Sequence, residues 1–231
     1  MPHATVAEAA AALRRYLEYL QLLGVEDLPL RPPRPQAAVA AAPPPADAAQ
    51  RLQQLAEVAR ACRNCRLHQT RTQVVFGVGD PAASLVFVGE APGYEEDRRG
   101  EPFVGPAGEL LTRIIEAIGL RREQVYILNV VKCRPPHNRN PLPDEIAACR
   151  PLLEAQLACL RPRVICALGT FAAQTLLRTD EKITRLRGRF HSLGEVKVMP
   201  TYHPAYLLRN PQAKRAVWHD MQCIQRELGL R

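Results

Sequence analysis

Residues 85–111 read LVFVGEAPGYEEDRRGEPFVGPAGELL. Leu85, Val86, Phe87 and Val88 are apolar β-formers that stop at Gly89; a segment dense in Gly, Pro and acids follows, and helical spacing resumes after Pro106. The pattern predicts a strand, a long loop and a helix. A loop of this length in a compact domain is more often functional than idle, and ligands of open α/β sheets bind beyond the carboxyl ends of the strands. The candidate active site therefore begins at Gly89.

Outward from this stretch the order repeats. Residues 85–89, 125–131, 164–169 and 196–201 are four short apolar, β-rich runs, with helical patterns over 107–119, 143–160 and 170–178 between them and over 213–228 at the end. This alternation predicts an α/β fold, a three-layer α/β/α sandwich around a central four-stranded, mainly parallel sheet. Parallel strands bring their ends to one edge. There the sequence places Gly89-Glu90-Ala91-Pro92-Gly93, then Asn129 with Lys132-Cys133-Arg134, then Gly169-Thr170, then Tyr202-His203-Pro204. An amide, a carboxylate, an imidazole and backbone N–H groups, with Phe103 from the first loop, suit a flat polar ligand. Nothing resembles a Walker lysine in a phosphate loop, a dinucleotide Gly-x-Gly-x-x-Gly or a Ser-centred nucleophile elbow, which argues against nucleotide hydrolysis and acyl transfer.

A chain of 231 residues with 47% apolar content has room for one substantial core and an appendage. Its 31 Lys and Arg against 23 Asp and Glu leave a net charge of +8, which favours a polyanionic partner without naming one. No basic start leads into an apolar signal region and no apolar run is long enough for a bilayer, so a soluble cytoplasmic monomer without a membrane partner is expected. In that setting the seven cysteines are not expected to form structural disulfides.

Three segments organise the chain. Residues 1–28 form an N-terminal helical extension, in which Leu13, Leu17, Leu20 and Leu23 recur at helical spacing and Gly24 closes the helix. Its expected role is packing on the body or on a protein partner. Residues 29–49, almost all Pro and Ala, read as a linker, and residues 50–231 as the functional domain. A helical stretch over 46–61 leads into CRNCRLHQTR, where Cys62 and Cys65 have the spacing of a metal-binding pair. Cys133 and Cys149 can supply a second pair. Four thiolates hold either zinc or an iron–sulfur cluster, and spacing does not choose between them; four separate buried thiols are the plain alternative. Cys159, Cys166 and Cys223 stand in apolar contexts and read as core residues.

Three motifs carry a resemblance. Gly89-Glu90-Ala91-Pro92-Gly93 with Glu96 and Glu-Pro-Phe-Val-Gly-Pro-Ala-Gly (101–108), Leu-Asn-Val-Val-Lys-Cys-Arg-Pro-Pro (128–136) with Asn138-Arg139, and His-Pro-Ala-Tyr-Leu-Leu-Arg (203–209) resemble family 4 uracil-DNA glycosylases. The resemblance runs from Cys62 to the C-terminus and leaves the N-terminal helix and linker outside. It implies a DNA-repair enzyme that flips uracil from single- or double-stranded DNA and hydrolyses its N-glycosidic bond. It implies a [4Fe-4S] cluster on Cys62, Cys65, Cys133 and Cys149, with zinc as the alternative. A non-catalytic or covalently trapping uracil-DNA binder is the competing function, and the absence of a basic insertion around 135–139 argues against trapping.

The same resemblance distributes roles. Phe103 stacks on the flipped base, Asn129 reads the uracil edge, and His203 donates to O2 as the base leaves. Gly89, Ala91 and Gly93 line the pocket. Ala91 stands where family 1 relatives carry a water-positioning aspartate, so Glu90 is the candidate for orienting water, with loop bracing as its alternative. Glu96 is assigned to the wall facing uracil C5, with a solvated acid as its alternative. Tyr206, Leu207 and Leu208 form an apolar wedge for the vacated stack, and Arg209, Arg134 and Arg139 grip phosphates, with Arg185, Arg187 and Arg189 as further candidates in a flexible basic loop.

Overall fold

The computed structural model describes residues 47–230, together with Ala10 and Arg14. The helix expected over the N-terminal extension, apart from these two residues, and nearly all of the Pro/Ala segment lie outside the described residues. In chain order the strands are β1 (Val78–Gly79), β2 (Leu85–Gly89), β3 (Tyr126–Asn129), β4 (Val164–Leu168), β5 (His191–Leu193) and β6 (Val196–Thr201). The helices are α1 (Ala48–Arg60), α2 (Tyr94–Arg99), α3 (Pro106–Ala117), α4 (Pro143–Leu160), α5 (Thr170–Leu177), α6 (Ile183–Leu186), α7 (Pro204–Arg209) and α8 (Lys214–Leu228).

Every residue of β2, β3 and β4 is buried. Strands covered on both faces have no polar face to show, which is why they read as unbroken apolar runs rather than alternating ones. Their side chains nevertheless alternate between two cores. Leu85 and Phe87 face α3 and α8, joining Leu111, Ile114, Ile115, Trp218, Met221 and Ile224. Val86 and Val88 face the opposite side, with Leu52 of α1, Leu153 and Leu160 of α4, and Ala172 and Leu176 of α5. Helices thus flank both faces of the sheet.

Among the described residues the sheet has six strands, in the order β1-β3-β2-β4-β6-β5, and not the four expected. The four anticipated runs are its parallel centre, with β2 paired to β3 and β4, and β4 to β6. The two additions are antiparallel edges: β1 meets β3 only at Val78 and Gly79, and β5 returns on β6. Both escaped the sequence for the same reason. Two or three residues on an edge bury little, so they carry no apolar run, and the β5–β6 turn is marked only by Gly194, whose φ of 60° favours glycine.

The chain goes from β2 to β3 on one side of β2, then crosses to β4 on the other. A crevice opens at the carboxyl ends where the strand order reverses. The turn from β6 into α7 is held from below by Asp220 of α8, fully buried, which accepts from Thr201 Oγ1 at 2.6 Å and pairs with Arg187 at 2.7 Å. Burial raises the Asp220 carboxyl, and Thr201 and Arg187 oppose that shift. Arg187 also donates to Ala216 O. This engagement removes it from the phosphate candidates and rigidifies the segment expected to be a flexible basic loop; Arg185 and Arg189 remain exposed.

Candidate active site

Most of the expected residues line one cleft of about 420 Å³ at the carboxyl edge of the sheet: Glu90, Gly93, Phe103, Asn129, His203 and Arg209 among them. Each is set by local physics. Val130 N–H donates to Gly89 O at 2.9 Å and Val131 N–H to Glu90 O at 3.1 Å, so the β2–β3 pairing continues past the end of β3 and fixes the start of the loop after β2. Gly89 is required by space. A Cβ there would fall on the Asn129 carboxamide oxygen and within 2.6 Å of the Phe103 ring.

The loop after Gly93 is organised by one carboxylate. Glu96 accepts from Gly93 N–H at 3.1 Å, Val104 N–H at 3.0 Å and Gly105 N–H at 3.3 Å, drawing the two ends of the loop together around α2. Glu96 therefore acts mainly as a loop brace while its edge lines the cleft. Phe103 is held with φ at 54°, a conformation unfavourable for an aromatic residue, and Gly108 of α3 packs its bare backbone against the Phe103 carbonyl. Strain kept at a cleft-lining aromatic marks an orientation that the loop must enforce. The ring stands 5.4 Å from that of His203.

Asn129 is 2% exposed, and its Oδ1 has no hydrogen-bond partner. A buried, unpaired acceptor costs about 1–3 kcal/mol, so it calls for a ligand donor. His203 is the N-cap of α7, its Nδ1 accepting from Ala205 N–H at 3.1 Å. An accepting Nδ1 leaves the proton of a neutral imidazole on Nε2. Desolvation pushes the His203 pKa down to about 4, with Glu96 opposing and Arg209 reinforcing the shift. At neutral pH the ring is a neutral donor. Glu90 moves the other way: desolvation raises it to about 7, within reach of both protonation states at neutral pH.

The rim departs from expectation in two places. Tyr206 and Leu208 are exposed, at 40% and 46%, but Leu207 is fully buried in the core between α3 and α8, so it does not belong to the wedge. Successive residues of a helix cannot share one face. Arg139 directs its guanidinium into Glu145, itself fully buried, at 2.6 and 2.8 Å, so its fork is occupied by a carboxylate. That pairing holds the Glu145 carboxyl below its ordinary range. Arg134 lies over the ring of exposed Tyr94 at 5.0 Å and donates to Asn138 Oδ1 at 2.6 Å. Arg209 is exposed at the cleft. Pro135 of the 128–136 motif and Asn140, which follows directly on Asn138-Arg139, also form the cleft wall, and Gly108 braces Phe103, a contact that no local pattern in the sequence marks.

Behind β3 lies a second, smaller cavity lined by Cys62, Cys65, Cys133 and Cys149. All are free thiols. Among the described residues, no group of three or more Cys, His, Asp or Glu is placed to hold a single metal ion. Arg71 donates to Cys133 Sγ at 3.1 Å, and the backbone N–H of Lys132 bonds to Cys149. Burial raises Cys133 to about 11 and raises Cys149 as well, so both stay protonated until a metal displaces the proton. Four thiols around one cavity, with N–H donors aimed at sulfur and cations close by, suit a thiolate-ligated group of net negative charge. Cys159 and Cys166 are buried and Cys223 packs against the core, as expected.

The sequence profile of the Uracil DNA glycosylase superfamily matches residues 76–222. The chain is 48% identical over 166 residues to a type-4 uracil-DNA glycosylase of Archaeoglobus fulgidus, covering 68% of this chain and 83% of that protein. It is 51% identical over 160 residues to the type-4 enzyme of Thermotoga maritima, with the same coverage. A type-5 uracil-DNA glycosylase of Thermus thermophilus matches more narrowly, at 37% identity over 44% of this chain and 52% of its own length. Asn129, His203, Cys133 and Cys149 fall inside the matched residues 76–222, with Cys62 and Cys65 just before them, and the chain belongs to the type-4 uracil-DNA glycosylases of the uracil-DNA glycosylase superfamily.

Proposed function

We propose that this chain removes uracil from DNA by hydrolysing its N-glycosidic bond, leaving an abasic site. The observation that carries this reading is the orphaned Asn129 Oδ1, buried in the cleft beside a histidine whose one free ring nitrogen is a donor. Uracil supplies the complement. Its N3–H donates to Asn129 Oδ1 while O4 accepts from Nδ2. Cytosine presents an acceptor and a donor in the opposite order, which leaves two buried groups unpaired.

The steps follow from the residues present. Extruding the base costs a few kcal/mol, offset by stacking on Phe103, which supplies roughly 1–3 kcal/mol, and by Tyr206 and Leu208 at the vacated stack. As the C1′–N1 bond breaks, the bonding electrons move onto the base and charge grows on O2. His203 Nε2–H meets that charge with a donor already oriented by Ala205. A preorganised donor of this kind lowers a barrier by about 2.7–4 kcal/mol. The sugar, now oxocarbenium-like, takes a water oriented by the Glu90 carboxylate, which accepts its proton. Arg134, next to the cleft, and Arg209 hold phosphates; positive charge on the rim also steers DNA to the site.

Cys62, Cys65, Cys133 and Cys149 are the residues that would hold a [4Fe-4S] cluster, with zinc as the alternative. When bound, the group supplies a covalent tie between the segment after α1, the end of β3 and α4. Brown protein with broad visible absorption after anaerobic purification supports iron–sulfur; a colourless, fully active protein with stoichiometric zinc overturns it.

The activity is tested by incubating the protein with a uracil-containing oligonucleotide, followed by alkaline cleavage at abasic sites. Scission at the uracil is expected with wild type and is lost with Asn129→Ala and His203→Ala. No scission from wild type sinks the proposal, and scission without alkali replaces hydrolysis with lyase chemistry.

A further inference from the structure

Lys132 is 1% exposed, among the largest fully buried side chains of the protein, and nothing in the glycosylase mechanism uses it. Its Nζ donates to the main-chain carbonyl of Asn129 at 2.6 Å. The residue also lines the four-cysteine cavity, and its own backbone N–H bonds to Cys149. A buried ammonium is expensive and is retained where it has a specific partner.

The topology explains why that carbonyl needs one. Val130 N–H faces Gly89 O on the β2 side, and in a planar trans peptide the Asn129 carbonyl points opposite to that N–H, to the other side of β3. There β1 pairs only with Tyr126 and Ile127. Among the described residues no strand pairs with Asn129 on that side; the chain leading into β1 bonds next at Val75 N–H to Lys132 O, and the Lys132 ammonium is the donor to the Asn129 carbonyl. The Asn129 backbone is thereby clamped from both sides, by Gly89 through Val130 and by Lys132. This clamp fixes its Cα–Cβ direction, the base from which the carboxamide reaches the cleft.

We propose that Lys132 is a positioning residue: by holding the Asn129 carbonyl it aligns the amide that selects uracil, and so ties the cysteine cavity to base discrimination. The inference rests on the glycosylase reading. Misplacing a reacting or reading group by about 1 Å is enough to cost on the order of a hundredfold, and an amide out of plane reads uracil and cytosine more nearly alike.

The test uses the full chain with Lys132→Met, which keeps the length of the stem and removes the donor. Its readouts are kcat and KM for uracil release, metal content per chain, and the affinities for oligonucleotides carrying 2′-fluoro-2′-deoxyuridine or 2′-fluoro-2′-deoxycytidine, whose glycosidic bonds resist cleavage. The expected result is unchanged metal content, a kcat lowered by about ten- to a hundredfold with little change in KM, and a uridine-to-cytidine affinity ratio narrowed at least about tenfold. Where Lys132→Met does not fold, Lys132→Gln carries the same test, because its amide nitrogen ends one bond short of the Nζ position and also loses the bond to Asn129. A wild-type affinity ratio in the folded variant overturns the proposal, as does a variant that sheds its metal, since the carbonyl is then not the cause. If wild type itself releases no uracil, the glycosylase reading fails first; active wild type with an indifferent variant discards the Lys132 role alone.

Discussion

Titration of Glu90 supplies the sharpest prediction for the reaction. The carboxyl lies partly buried at the head of the catalytic loop, and desolvation lifts it to about 7. Only the carboxylate can accept a proton from water, so kcat/KM, which reports the free enzyme, should rise with pH and level off above about 7. Below that value the ionised fraction falls tenfold per unit, leaving roughly one part in ten at pH 6 and one in a hundred at pH 5. His203 does not complicate this limb, since its pKa near 4 keeps it neutral throughout. Glu90→Gln preserves size and removes the titration: the profile should become flat, at a rate lower by about 10²–10⁴-fold. The assay is uracil release from a single-stranded oligonucleotide at constant ionic strength, since DNA affinity is steeply salt-dependent. Stability gives an independent check on the same group. Its folded pKa is raised above the unfolded value, so the unfolded chain binds fewer protons between about 4.5 and 7 and stability falls as pH rises through that window. Glu90→Gln should therefore gain stability relative to wild type at pH 8 and not at pH 4. A wild-type profile flat from pH 5 to 8, or a sloping one retained in Glu90→Gln, refutes the assignment of Glu90 to water.

Two substitutions test the scaffold. Gly89→Ala places a methyl on the Asn129 carboxamide oxygen and the Phe103 ring, so single-turnover uracil release should fall at least about a hundredfold while the fold, losing about 1–3 kcal/mol to overpacking, survives; wild-type turnover would show that the pocket is not this tight. Arg187→Ala takes the guanidinium from the fully buried Asp220, leaving it the Thr201 hydroxyl, and should cost about 3–5 kcal/mol, a melting temperature lower by about 6–20 °C, with the salt dependence of DNA binding unchanged; a shallower salt slope with unchanged melting would return Arg187 to the phosphate contacts.

Much of the site was legible in the sequence because its chemistry is carried by short contiguous motifs at strand ends. The apolar runs of β2, β3, β4 and β6 marked a parallel sheet, and parallel strands oblige the residues that follow them to share one edge. Asn129, His203, Glu90 and Phe103 could be placed in one cleft on that ground. The edge strands could not be read, since two or three residues that bury one face at most leave no periodic signal. Roles also failed to follow from residue type where the partner a side chain meets in the fold decides them. Arg187 and Arg139 look alike as phosphate grips until Asp220 and Glu145 are seen to occupy their guanidinium groups. Leu207 looks like Leu208 until the axial rotation of α7 sends one into the core and the other to solvent.

The sequence by itself determined the α/β class and the order of the motifs, because these depend on local pattern, and the resemblance carried by those motifs pointed to the family and to the four cysteines. Tertiary structure decided the state of each group. It buried Asn129 Oδ1 without a partner, kept His203 neutral by desolvation with Ala205 N–H on its Nδ1, raised Glu90 by desolvation, gathered three loop N–H groups on Glu96 and set Lys132 between the cysteines and the Asn129 carbonyl. Protonation, tautomer and hydrogen-bond vacancy depend on what surrounds an atom in three dimensions, and residues distant in the chain supply those surroundings.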